Sequence, residues 1–528
     1  MKNQKFLIMS VLILLSGISE LFFTGKWPFF LAPWLLTAAL LSFFRKCNEK
    51  KYFFILIAVL WTAAAVSQDK MSPLPRPMDW IFILIAILYD LISFYIDRKL
   101  SPRFHGWIRS MILPVSAVSF ESLWNTLSPS STIGKIAYTQ FSFSYLIQSA
   151  DLFGIYGITF IIYWFSSVIT GLIESEFNIK EKAVLIPVLA WSAVFLSLMF
   201  YGMIRLNLPL PEGGPVKISS ITVKNLKIYE ESYRAVFQKS ITIPDTAGQS
   251  DPAIQEASKG FLEFISHPER ELFIPVNKAW KDIEDEAFRL ASEEAAEGAK
   301  IVFFSEAQFF RFAGDEERFH QRLSHFAEEN QIFLFLPAVI LDREKLSQGG
   351  IWMKNQIWIY GPDGKRLYIY NKAKPIPGIE PVAPGDGKIP VVEIEGLRVG
   401  AVICYDADFP SFMLQSGRKE LDVLLVPSGD WHAITPVHSY MAVFRGIENG
   451  LSIVRQANFG LSVSADSRGR ILSQMNFFQV KKRVLRSVIK TKRKNTLYAL
   501  TGNIFPIFSV IVLILLIILF FKFKIRSS

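Results

Sequence analysis

The sequence predicts a chain in two parts, a multi-pass α-helical membrane domain of about eight spans and an extracytoplasmic domain of α/β class. Three observations predict this. Eight long apolar runs occur in a 528-residue chain that is 51% hydrophobic with a mean hydropathy of +0.30, too apolar for a wholly soluble protein. The lysines and arginines of the short loops fall on one side of those runs. From Lys217 onward the pattern changes to short strands alternating with helices.

The runs are Phe6–Phe23, Pro28–Phe44, Tyr52–Val66, Trp80–Ile96, Trp107–Trp124, Phe153–Ile173, Val184–Ile204 and Ile504–Phe521. A helix needs about 20 apolar residues to cross about 30 Å of hydrocarbon, so the third and fourth runs are short. The first run lacks a small-residue cleavage site and further spans follow it, so it reads as retained and not as a signal peptide. Lys2 and Lys5 precede the first run. Arg45, Lys46, Lys50 and Lys51 follow the second, and Arg98, Lys99 and Arg103 the fourth. Lys180 and Lys182 follow the sixth, while Lys522, Lys524 and Arg526 end the chain. Eight spans with both termini cytoplasmic put all of these on one side. The expected division is residues 1–205 for seven spans, 206–503 for the domain outside the cytoplasm, and 504–528 for the last span and a cytoplasmic tail.

One cluster stands against the charge bias: Lys481, Lys482, Arg483, Arg486, Lys490, Lys492, Arg493 and Lys494 would be external. Large domains cross largely regardless of charge, so the topology stands. The cluster reads either as a strand edge kept from aggregating by lysines or as a surface for anionic headgroups. For a membrane protein of net charge +10, headgroups are a better partner than nucleic acid. The two cysteines, Cys47 and Cys404, fall on opposite sides and cannot pair.

In the polar part, Ile218–Val223 reads as a strand. Lys224–Ile274 reads as irregular, an insertion or mobile lid turn-rich at Pro244–Pro252. Its Phe237, Phe261, Phe264 and Ile265 suit an element that dips into a membrane interface. Val276, Trp280, Ile283, Ala287 and Leu290 predict a helix ending near Gly298, and Phe319, Leu323, Phe326 and Ala327 another. Strands follow at Ile332–Ile340, in the hairpin Ile357–Tyr360 with Leu367–Tyr370, and at Leu397–Ile403. Val423–Val426, Leu451–Arg455 and Leu461–Ala465 complete the strands, with a helix near Val437–Glu448. Strands this apolar need helices over a face, which predicts a layered α/β domain.

Three of these strands end in a reactive residue. Glu306 closes the run from Ile301, Lys372 follows the hairpin, and Cys404 follows Leu397–Ile403. A carboxylate, an ammonium and a thiol held at strand ends suit a base, a charge stabiliser and an attacking sulfur. Taken singly each has an ordinary explanation, a surface charge or a small buried thiol; their order and context make the set.

Ser305-Glu306, Tyr370-Asn371-Lys372 and Ile403-Cys404-Tyr405-Asp406 resemble the three motifs of the carbon–nitrogen hydrolase (nitrilase) superfamily. Seven spans before such a domain and one after it resemble the bacterial apolipoprotein N-acyltransferases. So do Gln148-Ser149-Ala150-Asp151 through Gly157 at the sixth span, and Thr496-Leu497-Tyr498 with Gly502-Asn503 before the last. The resemblance implies a four-layer αββα sandwich. It casts Glu306 as general base, Lys372 as stabiliser of the oxyanion and Cys404 as a nucleophile that becomes a thioester. Glu380 and Asp406 are supporting acids in this picture. It further implies a phospholipid acyl donor, a diacylated lipoprotein as acceptor, the bilayer as partner, the bacterial inner membrane as location, and no metal or cofactor. The chain departs from the acyltransferase pattern at Ser305, where proline is usual, and at Asp406, where glutamate is usual. Those departures motivate the alternative, a membrane-tethered amidase or nitrilase acting on an extracytoplasmic amide.

Glu121, inside the fifth run, is either functional or an interfacial residue. His320 with His325, and His432 with His438, lack zinc-helix spacing, and no Gly-rich phosphate loop or Gly-x-Ser-x-Gly elbow occurs. Trp431 and Phe459 line a pocket or pack a core.

Overall fold

The structure, a computed structural model, describes residues 2–248 and 250–527, with side chains from residue 4 to 522. Gln249 and the side chains of Lys2, Lys524 and Arg526 lie outside the described residues. The chain forms two compact units, Met1–Leu208 with Thr496–Ser528, and Pro209–Asn495.

In the first unit a helix covers each predicted run. Among the described residues, six helices are long and apolar enough to cross a membrane: Gln4–Leu21, Lys50–Ser67, Met78–Arg103, Ile155–Glu174, Lys182–Asn207 and Ile504–Lys522. The fourth run is not short, because its helix continues through Asp97, Arg98 and Lys99 to Leu100. The short one is Ala32–Lys46, whose 15 residues rise only about 22 Å. Helix Gly106–Leu127 has the length, yet carries Arg109, Glu121, Asn125, several serines and an internal Pro114. Apolar packing joins the first four helices through Ile13, Leu40, Phe43, Phe44, Leu56 and Phe94. Short polar side chains tie Ala32–Lys46 to Ile155–Glu174, with Thr37 and Ser166 oxygens 2.7 Å apart and Ser42 and Thr170 3.2 Å apart. Such bonds hold helices together where lipid offers no hydrophobic drive. Arg45 grips Asp97 with two bonds of 2.8 and 3.0 Å. Glu121 neither snorkels nor faces outward: it is buried and accepts from Thr159 Oγ1 at 3.0 Å.

The second unit is built on two sheets. The strands are β1 Glu212–Ile221, β2 Ile301–Phe304, β3 Phe309–Phe312, β4 Phe333–Leu341, β5 Met353–Tyr360, β6 Arg366–Asn371, β7 Val392–Ile394, β8 Leu397–Ala401, β9 Val423–Gly429, β10 Ser452–Asn458, β11 Leu461–Ala465, β12 Ile471–Asn476 and β13 Val484–Thr491. One sheet runs β13-β1-β2-β4-β5-β6 with β3 beside β4, the other β12-β11-β10-β9-β8-β7. Both centres are parallel, β1-β2-β4 and β8-β9-β10, with antiparallel strands outside them. Because successive side chains of a strand alternate faces, β2 sends Ile301 and Phe303 inward against Val399, Val423 and Ile453 of the other sheet. It sends Val302 and Phe304 outward against Ala287, Phe288 and Leu323 of helices Ile274–Ala296 and Glu316–Asn330. Helices Pro410–Arg418 and Val437–Asn449 pack on the second sheet through Met413 and Ala442. The result is the four-layer αββα sandwich.

The segment 224–274 corrects the sequence reading. It holds helices Leu226–Phe237 and Pro252–Ser266, and the second begins on an Asp251 carboxylate that accepts from Ala253 N at 3.0 Å. The helices approach so closely that a Cβ on Gly260 would lie 2.5 Å from the Tyr233 backbone. Phe261, Phe264 and Ile265 are buried with Phe273, Val276 and Phe310, so they form a core and do not offer an interfacial surface. Of the four apolar residues expected at an interface only Phe237 is exposed. Phe459 packs against this same element, beside Leu226, Ile243 and Ala247; Trp431 is buried, against Gly248.

Strand β13 is the edge of its sheet, as expected of a lysine-rich edge, but part of its charge is spent within the domain. Arg486 holds the buried Glu294 with bonds of 2.6 and 2.7 Å, and Lys482 reaches Glu293 at 3.2 Å.

Candidate active site

The sheets bring the three strand ends together. After β2, Ser305 donates its N–H to Ile221 O at 3.0 Å, and its hydroxyl lies 2.5 Å from that of Thr222. Glu306 then leaves this sheet, and its N–H reaches Ser428 O of β9 in the other at 3.3 Å. Lys372 follows β6 and is anchored by its N–H to Asn355 O at 2.8 Å. Cys404 begins the tight turn Cys404–Asp408 beyond β8 with φ +46°. That left-handed conformation is uncommon for a side-chain-bearing residue and costs on the order of 1–3 kcal/mol, so the surroundings must enforce it.

Asp406 enforces it. Its carboxylate accepts from Ile403 N at 3.0 Å, Tyr370 Oη at 2.6 Å and Lys374 N at 2.7 Å. It thereby ties the cysteine turn to the loop that carries Lys372, and its oxygens are used there. Burial pushes this carboxyl up to about 6, against the bond from Tyr370.

Lys372 is fully buried and donates to Glu306 Oε1 at 2.9 Å and Glu380 Oε1 at 2.7 Å. Asn355 Nδ2 also donates to Glu306 Oε1, at 2.8 Å, while Gly429 N donates to Oε2 at 3.0 Å. The Cys404 sulfur lies 3.8 Å from Gly429 O, on the residue that fixes Glu306. Burial alone would push the Lys372 ammonium down, but Glu306 and Glu380 hold it well above its ordinary range. Burial, then the Glu306 charge, pushes the Cys404 thiol well up, with Lys372 opposing. Cys404 is therefore a protonated thiol at rest, needing a base when it attacks. Burial also raises Glu380, against the pull of Lys372.

Sequence reasoning missed Asn355 and Gly429, which orient the base, and a buried polar set beside the sulfur. His438 Nδ1 lies 2.8 Å from Asp430 Oδ1, and its Nε2 lies 3.1 Å from Asp408 Oδ2. Arg455 donates to both Asp430 oxygens at 2.8 and 2.9 Å. The only sequence trace of Asn355 is a polar residue in the strand Met353–Tyr360. In the sequence His438 stands out only as one of a histidine pair without zinc-helix spacing. Its ring, the Cys404 sulfur and an Asp430 oxygen do lie within 4.8 Å of one another. Both ring nitrogens already face carboxylates, and the Arg455 guanidinium holds Asp430, so this donor set is engaged in hydrogen bonds.

Residues 240–484 match the family model for carbon–nitrogen hydrolase, and residues 51–168 that for the apolipoprotein N-acyltransferase N-terminal domain. An apolipoprotein N-acyltransferase 1 of Treponema denticola is 23% identical over 98% of this chain and 97% of its own length. The apolipoprotein N-acyltransferase of Borreliella burgdorferi is 23% identical over 93% and 88%. That of Geobacter metallireducens is 27% identical over 70% and 66%. Among solved structures, an amidase from Nesterenkonia sp. aligns over 55% of this chain and 94% of its own, at 15% identity and a TM-score of 0.34.

Proposed function

Because the chain belongs to the apolipoprotein N-acyltransferase family, we propose that it moves a fatty acyl chain from a phospholipid to the N-terminal amine of a diacylglyceryl-cysteine lipoprotein. The observation that carries the mechanism is the buried Glu306–Lys372–Glu380 ion cluster beside a free Cys404 at a strained turn. Glu306 takes the thiol proton as sulfur attacks the ester carbonyl. Lys372 stabilises the negative oxygen that develops, an effect large in a water-poor site. The C–O bond breaks, Glu306 returns the proton to the departing lysophospholipid oxygen, and a thioester remains on Cys404. The lipoprotein amine then attacks the thioester and gives its proton to Glu306. The C–S bond breaks, the amide leaves, and the thiolate regains a proton from Glu306. Glu380 shares Lys372 and keeps it charged and aimed.

In this reading eight spans hold the chain in a bacterial inner membrane, with both termini cytoplasmic and residues 206–503 outside, where phospholipid and lipoprotein are within reach. The alternative, a tethered amidase, is not favoured: relatives covering nearly the whole chain are acyltransferases, and the N-terminal part matches that family's own domain. The test is Cys404→Ala in a strain lacking its own enzyme, with intact lipoproteins weighed by mass spectrometry. The expected result is diacylated lipoprotein only; triacylated product would overturn the proposal.

A further inference from the structure

Four buried ionisable side chains adjoin the nucleophile, and the reaction above uses none of them. Asp408 lies at the end of the turn that Cys404 begins, Asp430 just past β9, His438 on helix Val437–Asn449 and Arg455 on β10. All are at least nine-tenths buried. Isolated charges are not tolerated at such depth, so the set must be close to neutral as a whole. Two carboxylates and one guanidinium leave a net negative charge, which a proton on the imidazole between the two carboxylates cancels. Its geometry fits that duty. Nδ1 faces Asp430 at 2.8 Å and Nε2 faces Asp408 at 3.1 and 3.2 Å. Only the imidazolium donates from both nitrogens. Arg455 Nη2 also lies 3.0 Å from Nδ1, and Asp430 Oδ1 accepts from both cations, at 2.9 and 2.8 Å.

We propose that His438 is a positioning residue for the nucleophile: bridging Asp408 and Asp430 as a cation, it completes a charge-neutral quartet that keeps the Cys404 thiolate attainable. The proposal rests on Cys404 being the nucleophile of the function above. The groups around the sulfur are Glu306 and Lys372 from the first sheet, Asp430 and Arg455 from the second, and His438 from the covering helix. Around His438 itself are Asp408, Asp430 and Arg455, whose carboxylates hold the imidazole up to about 9 against burial. With His438 neutral, the quartet would carry a net negative charge beside the sulfur, from which an Asp430 oxygen lies within 4.8 Å, opposing thiolate formation.

The test reads the thiol directly and needs no lipid substrate, so its failure is distinct from failure of the acyltransferase reading. Full-length protein in detergent is alkylated with iodoacetamide at neutral pH, and the rate at Cys404 is followed by peptide mass spectrometry. His438→Gln is expected to slow alkylation about ten-fold, the effect of about one pKa unit on a mostly protonated thiol. Adding Asp408→Asn removes the matching negative charge and is expected to restore the rate to within about three-fold of the unsubstituted protein by the same relation. A purely structural role predicts further damage from the second substitution. An unchanged rate in His438→Gln, or a double variant no faster than the single one, overturns the proposal. If His438→Gln does not fold, Asp408→Asn alone decides: faster alkylation supports the proposal, and an unchanged or slower rate overturns it.

Discussion

Lys372 has no exposed surface and two carboxylate partners, and that sets what each residue of the site contributes. Replacing it with methionine strands Glu306 and Glu380 in a buried space with no cation between them. Breaking a buried ion pair on one side costs about 3–5 kcal/mol. Lys372→Met is therefore expected to lower the thermal unfolding midpoint of the detergent-solubilised protein sharply, besides abolishing transfer. Cys404→Ala, which unpairs no charge, is expected to leave that midpoint close to unchanged. Equal midpoints for the two variants would overturn the charge argument. At this scale the sequence singled out Glu306, Lys372 and Cys404 through their places at or just past strand ends and through motifs that resemble those of the carbon–nitrogen hydrolases, and the structure brings the three side chains together. It carried no sign of Asn355, Gly429 or His438 as partners, because hydrogen bonds spanning 49, 123 or 30 residues leave no local pattern.

Between elements, the periodicities held wherever one face alone is buried. Helix Ile274–Ala296 extends past its predicted residues and ends two residues before Gly298, whose φ of +91° suits a glycine after a helix. The segment 224–274 does not show its packed helices in the sequence because they are short and rich in charge, with a turn-rich stretch from Pro244 leading into the second. Its aromatic residues looked like an interfacial set, yet tertiary packing buries them. Phe264 sits against Phe273, Trp280 and Phe312 at centroid distances of 5.3, 5.8 and 6.4 Å. Truncating a buried phenylalanine costs about 3–5 kcal/mol, so Phe264→Ala is expected to destabilise the full-length protein markedly in thermal unfolding. Phe237→Ala, at an exposed position, is expected to change stability by about 0.5 kcal/mol or less. Comparable losses in both would mean that the pair does not form the packed element described.

For the whole molecule, the proposed orientation makes a prediction about access. Ser347 lies exposed in the 206–503 domain, and Asn178 lies exposed in the short loop after the sixth run. In a background with Cys47 and Cys404 replaced by serine, Ser347→Cys is expected to react with a membrane-impermeant maleimide in spheroplasts. Asn178→Cys is expected to react only after lysis, and the reverse pattern would overturn the orientation. Charge matters at this scale as well. Lys482 and Arg486 are committed to Glu293 and Glu294 within the domain, which leaves Lys481, Lys490 and Lys492 as the exposed lysines of the cluster that could meet an anionic surface.

The sequence by itself determined the apolar helices and the layered α/β class, and it put Glu306, Lys372 and Cys404 at strand ends. These follow from local periodicity and hydropathy, whereas the reading of the three residues as one set came from their resemblance to the carbon–nitrogen hydrolase motifs. The lengths of the second and fourth helices, the packed hairpin at 224–274 and the pairing of Lys482 and Arg486 with Glu293 and Glu294 were decided only by tertiary structure. So were the hydrogen bonds that orient Glu306 and the quartet around His438. Each depends on which distant elements meet, and the free energy of a buried charge or ring is set by the neighbours that folding brings to it.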